Sequence, residues 1–260
     1  MKFTFLIPTS ALFLMACTPS PKQLKEAIEK DPSIVFSAIE KDPKGFFESI
    51  EKAQKNAQNQ MAEDQWKNPL KPEIDEARVF EGNKSGKITI VEYADFLCGY
   101  CQQGHFTMKE VVKKYPDQVR ILFKNKPILH PVSRIAARHY VALSLTNPEG
   151  ALKFKDLAFT NQGKIKEAIK KDSGKGSEKF PTAEKLLADY IKQAGGDPAQ
   201  LKAQLEKPDV DFQIAKDEKE SDEFQFSGTP GYIVNGVPVR GAGSLETFAG
   251  IIDRHLKSLQ

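Results

Sequence analysis

The sequence predicts an α/β protein with a helical insertion in its main domain and a helical extension at its amino terminus. Three observations predict this class. From residue 77 onward, short apolar runs alternate with helical patterns, which is typical of layered α/β folds. Between residues 131 and 223 the strand pattern gives way to helical periodicity. Residues 22–53 contain repeated short helical pieces.

The amino-terminal extension contains an eleven-residue repeat, because the sequence AIEKDP occurs at residues 27–32 and again at residues 38–43. Asp31 and Asp42 each precede a proline and are suited to cap a helix start. We therefore expect short helices rather than one continuous rod. Such helices carry more apolar residues than they can leave in water, so they must pack on something. These residues are Leu24, Ile28, Ile34, Val35, Phe36, Ile39, Phe46, Phe47 and Ile50.

Two partners for this apolar surface are open. The helices fold back onto the main domain, or they pair with copies of themselves in other subunits. We favour self-association, because the polar stretch 52–76 would separate the extension from the domain. We interpret this stretch as a helix followed by a linker, with Met61 and Trp66 as anchors. Residues 17–75 are thus predicted to form a helical extension and linker that promotes oligomerisation.

The main domain is predicted to consist of residues 76–128 and 224–260, separated by a helical insertion at residues 129–223. In the last part, Asn235-Gly236 lies between two apolar runs and predicts a β-hairpin. The other predicted elements of the domain are strands at 78–81, 87–96 and 119–124 and helices at 98–115 and 245–259. Within the insertion, helices are expected at 132–145, 150–160, 183–194 and 198–206, and the charge-rich residues 164–179 are expected to form an exposed loop.

Cysteine supplies the clearest chemical signal. The sequence Cys98-Gly99-Tyr100-Cys101 directly follows the central apolar strand and begins a helix. The reactive form of cysteine is the thiolate, which the free amides and positive dipole end of a helix amino terminus stabilise. The pair therefore reads as a redox dithiol, with Cys98 as the candidate nucleophile.

The third cysteine, Cys17, has a separate explanation. Lys2 precedes an apolar stretch that is too short to span a bilayer, so residues 1–16 are expected to be an export signal. Leu14-Met15-Ala16-Cys17 resembles the lipobox of bacterial lipoproteins, which implies that Cys17 is acylated and anchors the mature protein to a membrane. The alternative is a cleavable signal with an incidental cysteine. Thr18 stands where inner-membrane lipoproteins of some bacteria have aspartate, which favours the outer membrane.

With Cys17 set aside, Cys98 and Cys101 are the two remaining cysteines, so no other pair can form a structural disulfide. A zinc site would need two further ligands, and none of the four histidines belongs to a second paired ligand motif. We therefore expect no metal and no bound cofactor. The net charge of +3 is too small for a nucleic-acid-binding footprint.

Several stretches in a fixed order resemble the DsbA family of thioredoxin-fold thiol-disulfide oxidoreductases. They are residues 91–101 around the dithiol, residues 126–137, and the sequence Gly228-Thr229-Pro230. The resemblance spans about residues 79–256 and implies a thioredoxin fold. The amino-terminal extension is similar to those of oligomeric relatives such as the ScsC type. The sequence Gly99-Tyr100 departs from the Pro-His pair of the family's namesake, so a redox potential is not carried over.

The resemblance also implies roles for three residues outside the dithiol. Pro230 matches the family's cis-proline, which faces the dithiol and presents the backbone of Thr229 to a client peptide. Glu92 matches a buried acid whose pKa rises on burial and which passes protons to or from Cys101. The alternative for Glu92 is a solvent-facing position near the strand edge. Asp95 is expected at the surface or in a capping position.

These features imply a periplasmic, lipid-anchored oxidoreductase that donates the Cys98–Cys101 disulfide to exported cysteine-containing proteins and is reoxidised by a membrane partner. One alternative is an oligomeric isomerase or reductase that a membrane partner keeps reduced. Another is a noncatalytic surface lipoprotein or metal-binding module that retains the fold.

Overall fold

The computed structural model describes residues 19–78, 80–173 and 179–259. Cys17 and the expected export signal lie outside these ranges. Within them, no helix combines the length and the apolar character needed to cross a membrane. The chain divides into two compact units, residues 1–61 and residues 62–260.

The amino-terminal unit is built from two short helices and the start of a 25-residue helix, linked by aspartate–proline turns. Asp42 caps the third helix, as expected, because its carboxylate accepts a hydrogen bond from the Gly45 amide at 3.0 Å. The expectation for Asp31 was wrong in part: the second helix has Pro32 at its cap position, and Asp31 ends the first helix while accepting the Ser33 amide at 3.1 Å. The helices are α1 (Pro21–Lys30), α2 (Ser33–Lys41) and α3 (Pro43–Lys67), the last of which continues into the second unit.

Most of the large apolar residues of this unit are exposed in the single chain, whereas Ile28 and Ile39 are half-buried. Neither α1 nor α2 contains a buried residue. Phe36 and Phe47 are each 63% exposed. The other exposed large apolar side chains of the unit are Leu24, Ile34, Val35, Phe46 and Ile50.

The second unit is organised around a mixed five-stranded sheet. The strands are β1 (Phe80–Gly82), β2 (Ile88–Ala94), β3 (Val119–Asn125), β4 (Gly231–Val234) and β5 (Val237–Arg240), and their order in the sheet is β1-β3-β2-β4-β5. Helix α4 (Gly99–Lys114) joins β2 to β3, and α11 (Leu245–Ser258) follows β5. Strands β2 and β3 are parallel, and all other neighbours are antiparallel.

Both faces of the sheet are covered, and the alternation of residues along β2 decides which side chain meets which layer. Ile88 and Ile90 pack with residues of α4 and α11 on one face. Val91 and Tyr93 pack with Phe226 on the other. Glu92 follows the parity of Ile88 and Ile90, so the fold places a carboxyl group beneath α4.

The helical insertion lies between β3 and β4, as expected, but it contains two helices that the sequence analysis missed. Residues 162–173 form a helix where an exposed loop was expected, because Ile165, Ala168 and Asp172 share one buried face. The helix at residues 208–223 buries Val210, Ile214 and Asp217. The insertion helices are α5 (Pro131–Ser144), α6 (Pro148–Thr160), α7 (Gln162–Ser173), α8 (Pro181–Gln193), α9 (Pro198–Leu205) and α10 (Pro208–Glu223).

Candidate active site at the start of helix α4

The two cysteines of the dithiol lie at the first turn of α4. Cys98 occupies the N-cap position with an extended backbone, φ −75° and ψ 123°, and is 7% exposed. Cys101 lies in the first turn and is fully buried. Both are free thiols. The Cys98 thiol donates to the carbonyl oxygen of Thr229 at 3.2 Å, and the Thr229–Pro230 peptide bond is cis.

The two cysteine thiols differ in pKa because their surroundings act on them in opposite directions. A hydrogen bond from the Cys101 thiol, together with Thr229 and the amides of Cys101 and Tyr100, lowers the pKa of Cys98 to about 5 against the opposing effect of burial. Burial raises the pKa of Cys101 far above its ordinary value, and the neighbouring Cys98 adds to the effect. Cys98 is therefore the thiolate at neutral pH, whereas Cys101 keeps its proton.

Asp95 fixes the approach to the dithiol. The expectation of a surface or capping position was wrong, because Asp95 is 1% exposed and the amides that it binds lie outside the first turn of any described helix. Its carboxylate accepts the Leu97 amide at 2.7 Å and the amides of Ile128 and Leu129 at 2.8 and 2.9 Å. Its own amide lies 3.4 Å from the Cys101 sulfur. One carboxylate thus joins the end of β2, the start of α4 and the loop after β3.

Glu92 is buried beneath α4, with 1% of its surface exposed. Tyr232 pairs directly with it across β2 and β4, and its hydroxyl donates to Glu92 Oε1 at 3.3 Å. Among the residues that the structure describes, none forms a hydrogen bond with Glu92 Oε2. Burial raises the pKa of Glu92 to about 7, Lys155 opposes this rise, and Glu81 supports it. A carboxyl with this pKa can accept or release a proton near neutrality.

A glycine in α4 makes room for this arrangement. A Cβ atom at Gly104 would overlap the hydroxyl of Tyr232, so only glycine allows the tyrosine to pass beneath the helix and reach Glu92. Gly104 lies three residues after Cys101 in the same helix. The close approach of Tyr232 therefore connects the buried acid to the helix that carries the dithiol.

The helical insertion supplies a buried cation. Lys155 of α6 is 1% exposed, and its ammonium forms an ion pair with Glu81 of β1. Burial alone would lower the pKa of Lys155, but the carboxylates of Glu81 and Glu92 raise it above its ordinary value. The lysine is therefore charged inside the protein and interacts with the acid beneath the dithiol.

Two glutamine side chains attach the insertion to the dithiol segment. Gln162 of α7 is buried and donates to the carbonyl oxygens of Phe96 and Cys98 at 2.9 and 2.8 Å. Gln102 of α4 donates to the carbonyl oxygen of Phe159 at 2.6 Å. Hydrogen bonds from the insertion thus fix the position of the backbone around Cys98.

The structure brings Cys98, Cys101, Thr229 and Pro230 together and places Glu92 under the same helix. Cys17 lies outside the described residues. The sequence analysis missed Lys155, Glu81, Tyr232, Gly104 and Gln162. The sequence contained two signals for them. A glycine, Gly104, interrupts a segment that otherwise favours a helix, and a lysine lies on the apolar face of α6 that Ala151, Ala158 and Phe159 define.

Comparisons with known proteins agree with this fold. The family model described as Thioredoxin matches residues 74–254. The chain therefore belongs to the thioredoxin family. Its particular form is DsbA-like, because a helical insertion separates β3 from β4 of the thioredoxin sheet.

Sequence relatives match mainly this second unit. The chain is 25% identical over 187 residues to the Na(+)/H(+) antiporter NhaA 1 of Salinispora arenicola, a match that covers 71% of this chain and 25% of the antiporter. The chain thus spans about a quarter of that relative's length. It is 27% identical over 160 residues to a probable disulfide bond formation protein D of Bacillus cereus, covering 60% of this chain and 68% of that protein.

A solved structure matches over nearly the whole chain. It is a linker-deletion variant of ScsC from Proteus mirabilis, with a TM-score of 0.57 and 17% identity, covering 94% of this chain and 99% of the other. At this identity the likeness concerns the fold alone, and its span includes most of the amino-terminal extension.

The contact between Gly104 and Tyr232 predicts a large effect of adding one methyl group. Gly104→Ala should destabilise the protein by about 1–3 kcal/mol, because the new Cβ displaces a buried tyrosine from Glu92. Gly250→Ala, within α11 at a position where a Cβ atom meets only open space, is the matched control and should be neutral or stabilising by up to about 1 kcal/mol. Urea unfolding measures both. Equal effects would show that Gly104 is not a packing requirement.

The low pKa of Cys98 predicts how the rate of its alkylation depends on pH. The alkylation rate of the reduced protein should rise with pH around a midpoint of about 5 and be absent in Cys98→Ser. Cys101→Ala removes the donor that contributes most and should move the midpoint upward.

Because the folded pKa lies below the ordinary value of about 9, the Cys98 thiolate also stabilises the reduced protein. This stabilisation is complete above about pH 9 and is lost as the pH falls through about 5. The stability of the reduced protein relative to Cys98→Ser should therefore increase between these values, and a constant difference would contradict the assignment.

Proposed function

We propose that the protein is a thiol-disulfide oxidoreductase of the bacterial envelope that forms disulfides in exported proteins through Cys98 and Cys101. The observation that carries the proposal is the position of Cys98, a thiol of lowered pKa at the amino terminus of α4 and in contact with Thr229 next to a cis-proline. A noncatalytic module that only retains the fold would have no function for a thiol with such a low pKa.

The geometry supports a two-step exchange. A client thiolate attacks the Cys98 sulfur of the oxidised pair, the bond between Cys98 and Cys101 breaks, and its electron pair leaves on Cys101. A second client thiolate attacks the client sulfur of the mixed disulfide, and Cys98 leaves as a thiolate. The client loses two electrons, the pair gains two, and a membrane partner must reoxidise it. The low pKa of Cys98 makes it the better leaving group in the second step.

Glu92 serves the first step in this proposal. Cys101 leaves as a thiolate in a buried position where the thiol form is strongly favoured, so it requires a proton. Protonated Glu92, whose pKa is about 7, is the acid under the same helix and supplies it. In the opposite direction, the Glu92 carboxylate accepts the proton from Cys101.

Thr229 and the exposed residues around the dithiol form the client surface in this proposal. The Thr229 carbonyl already contacts Cys98, and its backbone adjoins the cis-proline at the start of β4. Tyr100, between the two cysteines, is 68% exposed. An extended client segment can therefore hydrogen-bond to the Thr229 backbone while its cysteine reacts with Cys98.

The location is inferred from the sequence. The signal-like residues 1–16 and the lipobox-like sequence ending at Cys17 support a periplasmic protein tethered by a lipid, with the outer membrane favoured by Thr18. In that compartment disulfides persist, and a redox-active cysteine pair has clients.

A test of the exchange uses reduced, unfolded client protein and the oxidised full chain. Cys98→Ser should lower the rate of client oxidation to the uncatalysed rate, because it removes the attacked sulfur. Cys101→Ser, supplied instead with a client that contains a disulfide, should accumulate a mixed disulfide, because the Cys98 thiolate attacks one client sulfur, the other leaves as a thiolate, and no second thiol of the pair resolves the bond. Cys17→Ser retains the dithiol and is the control, with an unchanged rate. Oxidation by Cys98→Ser at the parent's rate would overturn the proposal.

A second function, disulfide isomerisation or reduction by an oligomer, is favoured by the exposed apolar face of α1 to α3 and by the ScsC likeness across the extension. Several catalytic units around one cleft suit the repair of wrong disulfides, and a membrane partner would keep the dithiols reduced.

Self-association through the extension predicts a change in mass. The full chain should sediment as an oligomer at micromolar concentration. Phe36→Ser with Phe47→Ser, which removes two exposed aromatic side chains, should yield a monomer that oxidises simple clients normally but repairs scrambled disulfides poorly. Substitution of the exposed residues Lys25 of α1 and Lys44 of α3 by serine is the control. A parent protein that sediments as a monomer would exclude the oligomer.

A further inference from the structure

The cis-proline loop, residues 227–230, follows a turn that has an unfavourable backbone conformation. Helix α10 ends in the two hydrogen bonds of a Schellman motif. The Phe226 amide donates to the Ser221 carbonyl oxygen at 3.0 Å, and the next bond inward joins the Gln225 amide to Asp222 at 2.9 Å. Gln225 has a φ of 58°, in the left-handed region where glycine is the usual residue. A glutamine in this conformation costs free energy, so the turn depends on contacts that compensate for it.

Arg240, the last residue of β5, makes such contacts. Its guanidinium donates to the carbonyl oxygens of Gln225 and Phe224 at 2.7 and 3.3 Å, so it binds the peptide groups on both sides of Gln225. The same guanidinium lies over the Phe226 ring, 4.9 Å from the ring centroid. A planar group with several donors suits this combination of two hydrogen bonds and a stacked ring. One side chain thus contacts three consecutive residues of the turn.

The far end of the loop is attached to the same place. The buried ring of Phe226 lies against Gly231, the residue after the cis-proline, because a Cβ atom there would come within 2.6 Å of Phe226 Cδ1. The amide of Gly241 donates to the Pro230 carbonyl oxygen at 2.9 Å. Arg240 and Gly241 therefore hold the entry and the exit of the loop together.

Thr229 lies between these two attachments and contacts the nucleophile. Its carbonyl oxygen accepts a hydrogen bond from the Cys98 thiol at 3.2 Å. The pKa of Cys98 is lowered most by the hydrogen bond from Cys101, and hydrogen bonding by the Thr229 side chain lowers it further. A change in the position of the loop therefore changes the surroundings of the Cys98 sulfur.

We propose that Arg240 is a positioning residue for the cis-proline loop: by holding the turn at Gln225, it keeps Thr229 against Cys98. The inference rests on the function proposed above and deepens it, because the same loop presents its backbone to the client. Arg240 is exposed and belongs to an edge strand, so its contribution to the core is small. Its removal should act on the loop more than on the fold.

The first test is the pH midpoint of Cys98 alkylation in the reduced full chain. Arg240→Met should raise this midpoint by about 0.5–1 pH unit, the shift that follows from losing one hydrogen bond that favours the thiolate. Arg254→Met is the matched control and should leave the midpoint unchanged. Arg254 also donates two hydrogen bonds, to Glu63, and also lies over an aromatic ring, that of Trp66, but it belongs to α11.

A double-mutant cycle separates positioning from a direct effect of the arginine charge. Thr229→Val removes the side-chain hydroxyl and should itself raise the midpoint. If Arg240 acts through Thr229, adding Arg240→Met to Thr229→Val should produce little further change, whereas a direct charge effect would be added in full. Gln225→Gly allows the left-handed turn without support, so Arg240→Met should have a smaller effect in that background.

An unchanged midpoint in Arg240→Met, or an equal shift with and without the Thr229 hydroxyl, would overturn the proposal. If Arg240→Met does not fold, Arg240→Lys decides, because lysine keeps the charge but lacks the planar pair of donors. The midpoint of Arg240→Lys should lie above the parent's, and a value equal to the parent's would overturn the proposal.

A second measurement concerns the client. For oxidation of a reduced client peptide, Arg240→Met should raise KM about threefold or more and change kcat by less, because the displaced loop binds the client backbone less well. An unchanged KM would refute the effect on the client. Alkylation requires no client, so a parent protein that alkylates as expected but oxidises no peptide would refute the proposed function alone.

Discussion

The burial of one carboxyl group, Glu92, is the constraint on which the arrangement of the site depends. A carboxyl under a helix on a sheet covered on both faces is costly unless it stays protonated or finds partners. Tyr232 and Lys155 are those partners, one from the neighbouring strand and one from the insertion. Gly104 has no side chain because Tyr232 occupies its place. The burial of this one acid thus explains why tyrosine, glycine and lysine occupy positions 232 in β4, 104 in α4 and 155 in α6.

The helical insertion is more than a cover for the sheet. Through Gln162 it holds the carbonyl groups next to Cys98, and through Lys155 it reaches the acid beneath Cys101. The hydrogen bonds that hold the backbone at Cys98 and the charge that acts on Glu92 therefore come from the same added element.

The strands and most of the helices were predictable from periodicity, because their apolar residues repeat at the spacing that the covered faces require. The helix α7 was missed because its lysines outnumber the apolar residues of its buried face, Ile165 and Ala168. The helical periodicity of the apolar residues was therefore not apparent. Asp95 was misplaced for another reason. Its burial is offset by three backbone amides, two of them from the loop after β3, and no local pattern reports such partners.

The dithiol, its place at a helix start and the order of strands and helices depend on neighbours along the chain and on spacing, so they could be predicted from the sequence. The groups that surround the two sulfurs and the acid are set by the folded chain. Lys155 lies 63 residues from Glu92 in the sequence and Tyr232 lies 140 residues from it. Electrostatic interactions act through space, so the acidity of Cys98 and Glu92 was fixed when folding brought these distant groups into one buried volume.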